Sequence, residues 1–535
     1  MRPWAMAATD TYHRFDASSH QQHAVSKIRQ PARSIFELPP SSPSVITLYP
    51  RLSSPGLAQY STDTLTGTFP TDQPPLCLFS LSAGSSAAGQ HSLIRKLELI
   101  ARRGFHSVEL FQDDLTAFVE SDEFEMIYQD ARADSPPLSL ELPQQETDVI
   151  RTTTFNAFGP CIPSQLHREV AAAAYIGLLS KSLGIKVASL QPLRDFEGWA
   201  EAGPRSDAFS RITSRFEVMH ALGTDLLFIC SNCQPADRLV PAEQYRERAG
   251  AELAELADLA KACSPADCQA RWSKLGLEDP IGMMARAFPR RHDMPLLSPP
   301  ESRRGSSFAT VPELDMSPAT TSAPALANLP LSFQGHYTQP TAPIRPIRIG
   351  YEALSWGTHV DVWRSAWDIV ETANRPQIGL VLDSFNTIGR EWADPCSPSG
   401  ISQPEHEADA RLKASIEMMG ELLAGKAEKI FFLQIADARR MVGGPLAPSP
   451  NETEPRPSRM IWSRSNRLFP LERELGAFLP VVDFVRKVEE IGYRGPWSVE
   501  VFCDSIHEKD DAVPVNHVDR GYRSLQRLIT AVRSS

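Results

Sequence analysis

Residues 347–383 read IRIGYEALSWGTHVDVWRSAWDIVETANRPQIGLVLD. Two short apolar runs, Ile347–Glu352 and Ile378–Asp383, flank a stretch, Val362–Val370, whose apolar residues recur at helical spacing. Strand, helix, strand in this order is a βαβ unit, which requires a parallel sheet. The rhythm continues in both directions. Further strand candidates are Leu76–Ser80, Ser107–Phe111, Val187–Gln191, Asp225–Cys230, Ile430–Ile435 and Trp497–Val501, which makes eight. Between them Leu93, Leu97 and Ile100 share one helical face, and Leu166–Leu179, Glu243–Ala262, Leu412–Leu423, Val481–Ile491 and Val518–Val532 read as helices. Several stop at a glycine (Gly104, Gly184, Gly223, Gly492), the residue that most easily takes a left-handed C-cap. Eight strands, each followed by a helix, predict an α/β chain folded as a (β/α)8 TIM barrel over residues 74–532.

Three segments break the rhythm. Residues 1–73 show no sustained period and are expected to be a disordered N-terminal extension. Residues 263–346 hold 13 of the 45 prolines among Ser and Thr clusters, and are expected to be a low-complexity insertion without a packed core, between helix 4 and strand 5. That position is on the N-terminal, structural face of a barrel. The third segment, Gly443–Ser458 (GGPLAPSPNETEPRPS), follows strand 7 and emerges on the catalytic face, where it is expected to contribute to a lid.

The whole chain of 535 residues carries 54 Lys+Arg against 65 Asp+Glu, a formal charge of -11, so nucleic-acid binding is not expected. Hydrophobic residues make up 42% and charged residues 22%, close to globular averages. No apolar run approaches the roughly 18 residues of a membrane helix, and no secretory signal opens the chain, so no membrane partner is expected and the location is read as cytoplasmic. Eight cysteines are too sparse for a disulfide framework. Cys230-x2-Cys233 has the spacing of half a zinc site, but the next pair, Cys263 and Cys268, has four residues between its members, so no structural zinc is expected. No phosphate-binding glycine loop is present, which argues against nucleotide cofactors.

The chemistry is suggested by where the last polar residues fall. Glu352, Asp383, Gln434 and Glu500 each end, or nearly end, the apolar run of one of the last four strands. A closed barrel brings those ends to one mouth, where three carboxylates and an amide oxygen repel one another unless a cation joins them. An all-oxygen set suits a hard or borderline divalent ion, Mg²⁺ or Mn²⁺, with Co²⁺ a further candidate. Arg194 after strand 3, and Ser463 with Arg467 after strand 7, are placed to clamp a substrate carboxylate. His359, seven residues beyond Glu352, is a candidate proton carrier. Ser231 and Asn232, past strand 4, either bond substrate hydroxyls or turn the chain.

Tyr351-Glu-Ala-Leu-Ser-Trp-Gly-Thr-His359 and Trp462-Ser-Arg-Ser-Asn-Arg-Leu-Phe469, with Leu76–Gly84, Gly104–Leu115, Leu190–Gly198, Leu226–Asn232, Gly379–Asn386, Phe431–Ala438 and Ser498–Asp510, resemble the xylose-isomerase-like sugar phosphate isomerase/epimerase superfamily. Within it they look most like the 3-dehydroshikimate dehydratases of fungal quinate catabolism. The resemblance implies a metal held by Glu352, Asp383, Gln434 and Glu500, substrate-binding roles for Arg194, Ser463 and Arg467, and conversion of 3-dehydroshikimate to protocatechuate through an enediolate. It also implies a departure. In bacterial members the third residue after the Asp ligand is a catalytic histidine, whereas here it is Asn386, which leaves His359 or a metal-bound hydroxide as the base. Two other readings are a ketose epimerase or isomerase of the same superfamily and a catalytically silent barrel that acts as a binding module.

Overall fold

The computed structural model describes residues 73–133, 154–292, 346–441, 446 and 456–534. The fold lies in one compact unit, Pro74–Ser535. Its eight main strands are β1 Leu76–Phe79, β2 Ser107–Phe111, β3 Lys186–Leu193, β4 Leu226–Cys230, β5 Arg348–Glu352, β6 Ile378–Asp383, β7 Ile430–Ile435 and β8 Trp497–Val499. Each pairs in parallel with its sequence neighbour, and β1 closes on β8 with Leu76 opposite Trp497, giving a closed (β/α)8 barrel. Two short antiparallel pairs, Thr154–Phe155 with Pro160–Cys161 and Asp437–Ala438 with Arg467–Leu468, decorate it.

The sequence dictates this through burial. Strands such as β4 (LLFIC) and β7 (IFFLQI) are buried at every position, as strands covered on both faces must be. The helices hide one stripe each: Val481–Ile491 buries Val481, Phe484, Val485 and Val488 and ends at Gly492, with φ +109°. The other predicted stops, Gly104, Gly184 and Gly223, also have positive φ.

Inside the barrel the side chains change character along its axis. Cys77, Leu226, Phe228, Val381, Phe431 and Phe432 form an apolar floor, separate from the larger core between sheet and helices. The Phe228 and Phe432 rings meet there at 5.0 Å between centroids. Two residues further along each strand, the period that returns a side chain to the same face, Phe228 gives way to Cys230, Gly350 to Glu352, Val381 to Asp383 and Phe432 to Gln434. The interior is thus apolar below and polar at the C-terminal end. Gly350 and Gly379 make the floor possible: a Cβ at Gly350 would lie 2.5 Å from Val381 Cγ2, and one at Gly379 would lie 2.5 Å from the Phe431 ring and 2.7 Å from the Lys429 carbonyl.

The reading of 263–346 as lacking packed structure needs correction over its first thirty residues. Pro265–Lys274 and Pro280–His292 are helices, and Cys268, Trp272, Met283 and Met284 are buried against the barrel's outer layer. Residues 293–345, the extension 1–72 and most of Gly443–Ser458 lie outside the described residues, so the expectations of disorder and of a lid fall there too. Among the described residues no helix is long and apolar enough to cross a membrane.

The floor sets a packing test. Gly379→Ala drives its methyl into a fixed carbonyl as well as a ring, so it is expected to cost about 1–3 kcal/mol of stability by denaturant unfolding. A wild-type midpoint for Gly379→Ala would mean that β6 and β7 are less tightly seated than described.

Candidate active site

The polar layer brings the four strand-end residues together. Glu352 and Asp383 are the final residues of β5 and β6, Gln434 is the fifth of β7, and Glu500 follows β8. One ligand atom each from Glu352, Asp383 and Glu500 lies within 4.8 Å of the others, and the three residues are only 2–4% exposed. Gln434 is fully buried among them. Its Nε2 donates to Glu500 Oε1 at 3.0 Å and to Glu109 Oε1 at 2.6 Å, while its Oε1 has no hydrogen-bond partner.

Glu109 is the residue that sequence reasoning missed. It sits mid-strand in Ser107-Val-Glu-Leu-Phe111, fully buried, and accepts from Ser498 Oγ at 2.6 Å and Gln191 Nε2 at 3.1 Å. Gln191 reaches Glu500 Oε1 as well, at 2.7 Å. The only signal in the sequence was an acid at an inward-facing position of an apolar strand, which period-2 counting from Ser107 and Phe111 could have found.

Four carboxyls therefore face one buried guanidinium. Arg467 Nη1 lies 2.9 Å from Asp383 Oδ2 and 2.6 Å from Glu500 Oε2. Its Nε and Nη2 donate to Ser463 Oγ at 3.1 and 3.0 Å, and its guanidinium stacks on Phe385. The residues expected to hold substrate are thus engaged with the acids: Arg467 is the triad's counter-ion, and Ser463 aims it. If all four acids ionise, 4 − 1 = 3 negative charges remain uncompensated. Burial, then the Glu500 and Asp383 charges, push the Glu352 carboxyl well above its ordinary range. Burial and Glu500 do the same to Glu109. Asp383 and Glu500 are also raised by burial, with Arg467 pulling each partly back.

Asn386 does not occupy this site as a base. Its Nδ2 donates to Glu352 Oε1 at 2.8 Å and to Asp383 Oδ2 at 2.7 Å, while its Oδ1 accepts the Ser355 N–H at 3.0 Å. An amide in that geometry has no proton to take or give at neutral pH. It holds two carboxylates at a fixed separation. Cys230 donates its thiol to Glu352 Oε2 at 3.2 Å, and Cys233 points elsewhere, toward Asp195 Oδ1, so the two do not form a half-site.

The loop after β5 is pinned to the loop after β4. Ser231 Oγ accepts from Leu354 N, Thr358 N donates to the Asn232 carbonyl, and Asn232 Nδ2 donates to the Glu197 carbonyl. Ser231 and Asn232 turn and tie the chain. His359, at the end of this loop, packs its ring 4.7 Å from Tyr245, while Ser355 Oγ, Trp356 Nε1 and His359 Nε2 are buried with no hydrogen-bond partner. The Tyr245 and Tyr351 hydroxyls both donate to Glu197 Oε1, and burial lifts that carboxyl to about 7.

Cations line the outer part of the mouth. Arg194 and Arg464 are partly buried, and burial plus the neighbouring Arg194 and Arg467 charges push Arg464 down to about 10, still cationic at neutral pH. Arg464 stacks on Phe502 at 5.1 Å and makes no hydrogen bond among the described residues. It was skipped in the motif that pointed to Ser463 and Arg467.

Three carboxylates, an orphaned amide oxygen and a surplus of negative charge fit a hard divalent cation: the donors are oxygen, their number is right, and the unpartnered Gln434 Oε1 is the acceptor such an ion would use. Residues 340–528, which contain all four donors and Arg467, match the family model described as a xylose isomerase-like TIM barrel. Curated proteins to which the chain is similar include a 3-dehydroshikimate dehydratase of Neurospora crassa, 28% identical over 86% of this chain and 94% of the relative. Two proteins of the same name from Pseudomonas are longer. That of P. aeruginosa is 37% identical over 35% of this chain and 22% of its own length, and that of P. putida is 24% identical over 78% and 37%.

Because burial holds these carboxyls above their ordinary range, an entering cation would have to displace protons, and its affinity would rise with pH. The gain in melting temperature on adding Mg²⁺ or Mn²⁺ is expected to grow as the pH rises above the ordinary carboxylate range, and to be largely lost in Glu352→Gln. A gain that is flat with pH, or equal in that variant, would contradict the site. Asn386→Ala, which frees both acids, is expected to weaken the ion by about 10–100-fold, read by calorimetric titration.

Proposed function

We propose that the chain is a divalent-metal-dependent hydro-lyase that dehydrates 3-dehydroshikimate to protocatechuate. The observation that carries this reading is the convergence of Glu352, Asp383, Glu500 and the unpartnered Gln434 Oε1 in one buried mouth whose outer part is cationic. The name printed for the Neurospora relative, which aligns over most of both chains, supports the choice of substrate.

The substrate carries a ring carboxylate at one end and a ketone flanked by hydroxyls at the other. Arg464, with donors to spare, and Arg194 beside it are suited to take the carboxylate, and paired guanidinium contacts there fix orientation as well as charge. The ketone and its adjacent hydroxyl then point to the acidic layer. A divalent cation held by Glu352, Asp383, Gln434 and Glu500 would supply Lewis acidity, spreading the charge of the enediolate, for several kcal/mol.

The proton alpha to the ketone leaves as the enediolate forms. Loss of the beta hydroxyl follows, and tautomerisation gives the aromatic ring with release of one water. His359 is assigned the proton. It lies on the loop that begins at the ligand Glu352, and its buried Nε2 lacks any partner of its own. A positioned base of this kind adds about 10²–10⁴-fold. Asn386 and Ser463 act through others, the first by spacing Glu352 and Asp383, the second by orienting Arg467.

Incubation of the purified protein with 3-dehydroshikimate and Mg²⁺ or Mn²⁺ is expected to produce the ultraviolet absorbance of a catechol acid, abolished by EDTA and by Glu500→Gln. Arg464→Ala should raise KM more than it lowers kcat, whereas His359→Ala should lower kcat by about 10²–10⁴-fold with KM little changed. Absence of catechol formation with either ion, together with epimerisation of a ketose, would replace the lyase reading by the isomerase one.

A further inference from the structure

The end of the barrel opposite the mouth carries a second cluster, built from different donors. The helix Arg215–Leu222 ends at Gly223 and feeds β4, and the helix Ala242–Ala262 ends at Cys263, so both termini lie at the N-terminal end of the strands. The short helix Pro265–Lys274 starts there and brings back Cys268. His220, Cys263 and Cys268 each place one ligand atom within 4.8 Å of the others.

The two sulfurs are 3.8 Å apart. That is far beyond a disulfide bond of about 2.05 Å. It agrees with two thiolates on one tetrahedral ion: with Zn–S bonds of about 2.3 Å, the sulfurs stand about 3.8 Å apart. A thiol-to-thiol hydrogen bond accounts for the sulfur distance, and with the neighbouring His220 ring it pulls the Cys263 thiol down to about 5, so the three side chains act on one another. His220 Nε2 is buried with no hydrogen-bond partner. One helical turn earlier, Glu217 uses Oε1 to hold Arg271 at 2.6 Å, while its Oε2 is also buried without a partner. The three ligand atoms converge without Glu217, whose carboxylate lies outside that group. Leaving the buried His220 ring nitrogen unsatisfied beside two thiols is costly unless something binds it.

We propose that His220, Cys263 and Cys268 form a zinc site, with the fourth position taken by water. The sulfur and nitrogen donors favour Zn²⁺ over the hard ions that suit the oxygen-only mouth, so the two ends of the barrel select different metals. The ion would tie the helix that precedes β4 to the helices Ala242–Ala262 and Pro265–Lys274. This site does not depend on the reading of the mouth.

The test uses the full chain, stripped with a chelator under reducing conditions and then titrated with Co²⁺ as a spectroscopic stand-in for zinc, with excess Mg²⁺ present to fill the mouth. A thiolate-to-cobalt charge-transfer band saturating near about one equivalent is expected. Zinc should bleach it, and the melting temperature should rise on zinc addition. Cys263→Ser and Cys268→Ser should each lose the band, whereas Cys396→Ser and Glu352→Gln should keep it. No thiolate band in the wild-type chain would overturn the proposal, whatever the variants do. So would a band that survives Cys263→Ser with Cys268→Ser, or recovery of the two cysteines as a disulfide that takes up no metal.

Discussion

Buried charge of one sign is the constraint around which this barrel is organised. Glu109, Glu352, Asp383 and Glu500 are withdrawn from water with a single guanidinium, Arg467, set between two of them. Desolvating an unpaired carboxylate is prohibitive, so such a group takes a proton, a cation or a dense set of donors. The neighbours supply the donors. Gln191 and Gln434 each bridge Glu109 and Glu500, Ser498 caps Glu109, and Asn386 spans Glu352 and Asp383. Every one of those side chains is neutral, so the charge is organised without being cancelled. That leftover charge is what a divalent ion would compensate at this site.

The floor beneath makes the charge effective. Phe228, Phe432, Val381 and Leu226 close the lower barrel to water, which keeps the local dielectric low and strengthens any field the acids create. Glycine at positions 350 and 379 is what admits rings and branched side chains at that level. The strands therefore carry two instructions on one inward face: bulk and glycine in alternation at the bottom, acids and amides at the top.

Much of this was legible in the sequence because parallel strands covered on both faces are continuous apolar runs. All eight were found, several to the residue, and the polar residue that ends, or nearly ends, each of the last four runs marks the mouth. Three features were hidden for physical reasons. Glu109 breaks its run in the middle, where an acid looks like an error in the strand. Arg467 looked available for substrate because sequence does not show that Asp383 and Glu500 close on it. Residues 263–292 looked disordered because of their prolines, yet Pro265 and Pro280 stand at the first positions of helices, where the missing N–H costs nothing and the fixed φ helps. Cys263 and Cys268 were discounted by spacing alone, since their third partner, His220, is more than forty residues away and arrives only through the fold.

Depth orders the charges at the mouth. The acids are nearly inaccessible, whereas Arg194 and Arg464 are partly exposed, so the cavity is negative within and positive toward solvent. A neutral polyol gains nothing from the outer guanidiniums, and a simple monoanion would stop at them. A rigid molecule with a carboxylate at one end and adjacent carbonyl and hydroxyl oxygens at the other complements both layers at once, provided a cation mediates between its oxygens and the acids. Binding energy collected at the outer arginines could then hold the reacting carbons against the inner layer, whose acids would hold the cation that supplies Lewis acidity there. The spatial separation of the two charge layers, more than any one residue, favours a lyase acting on an anionic ring over an isomerase acting on a neutral sugar.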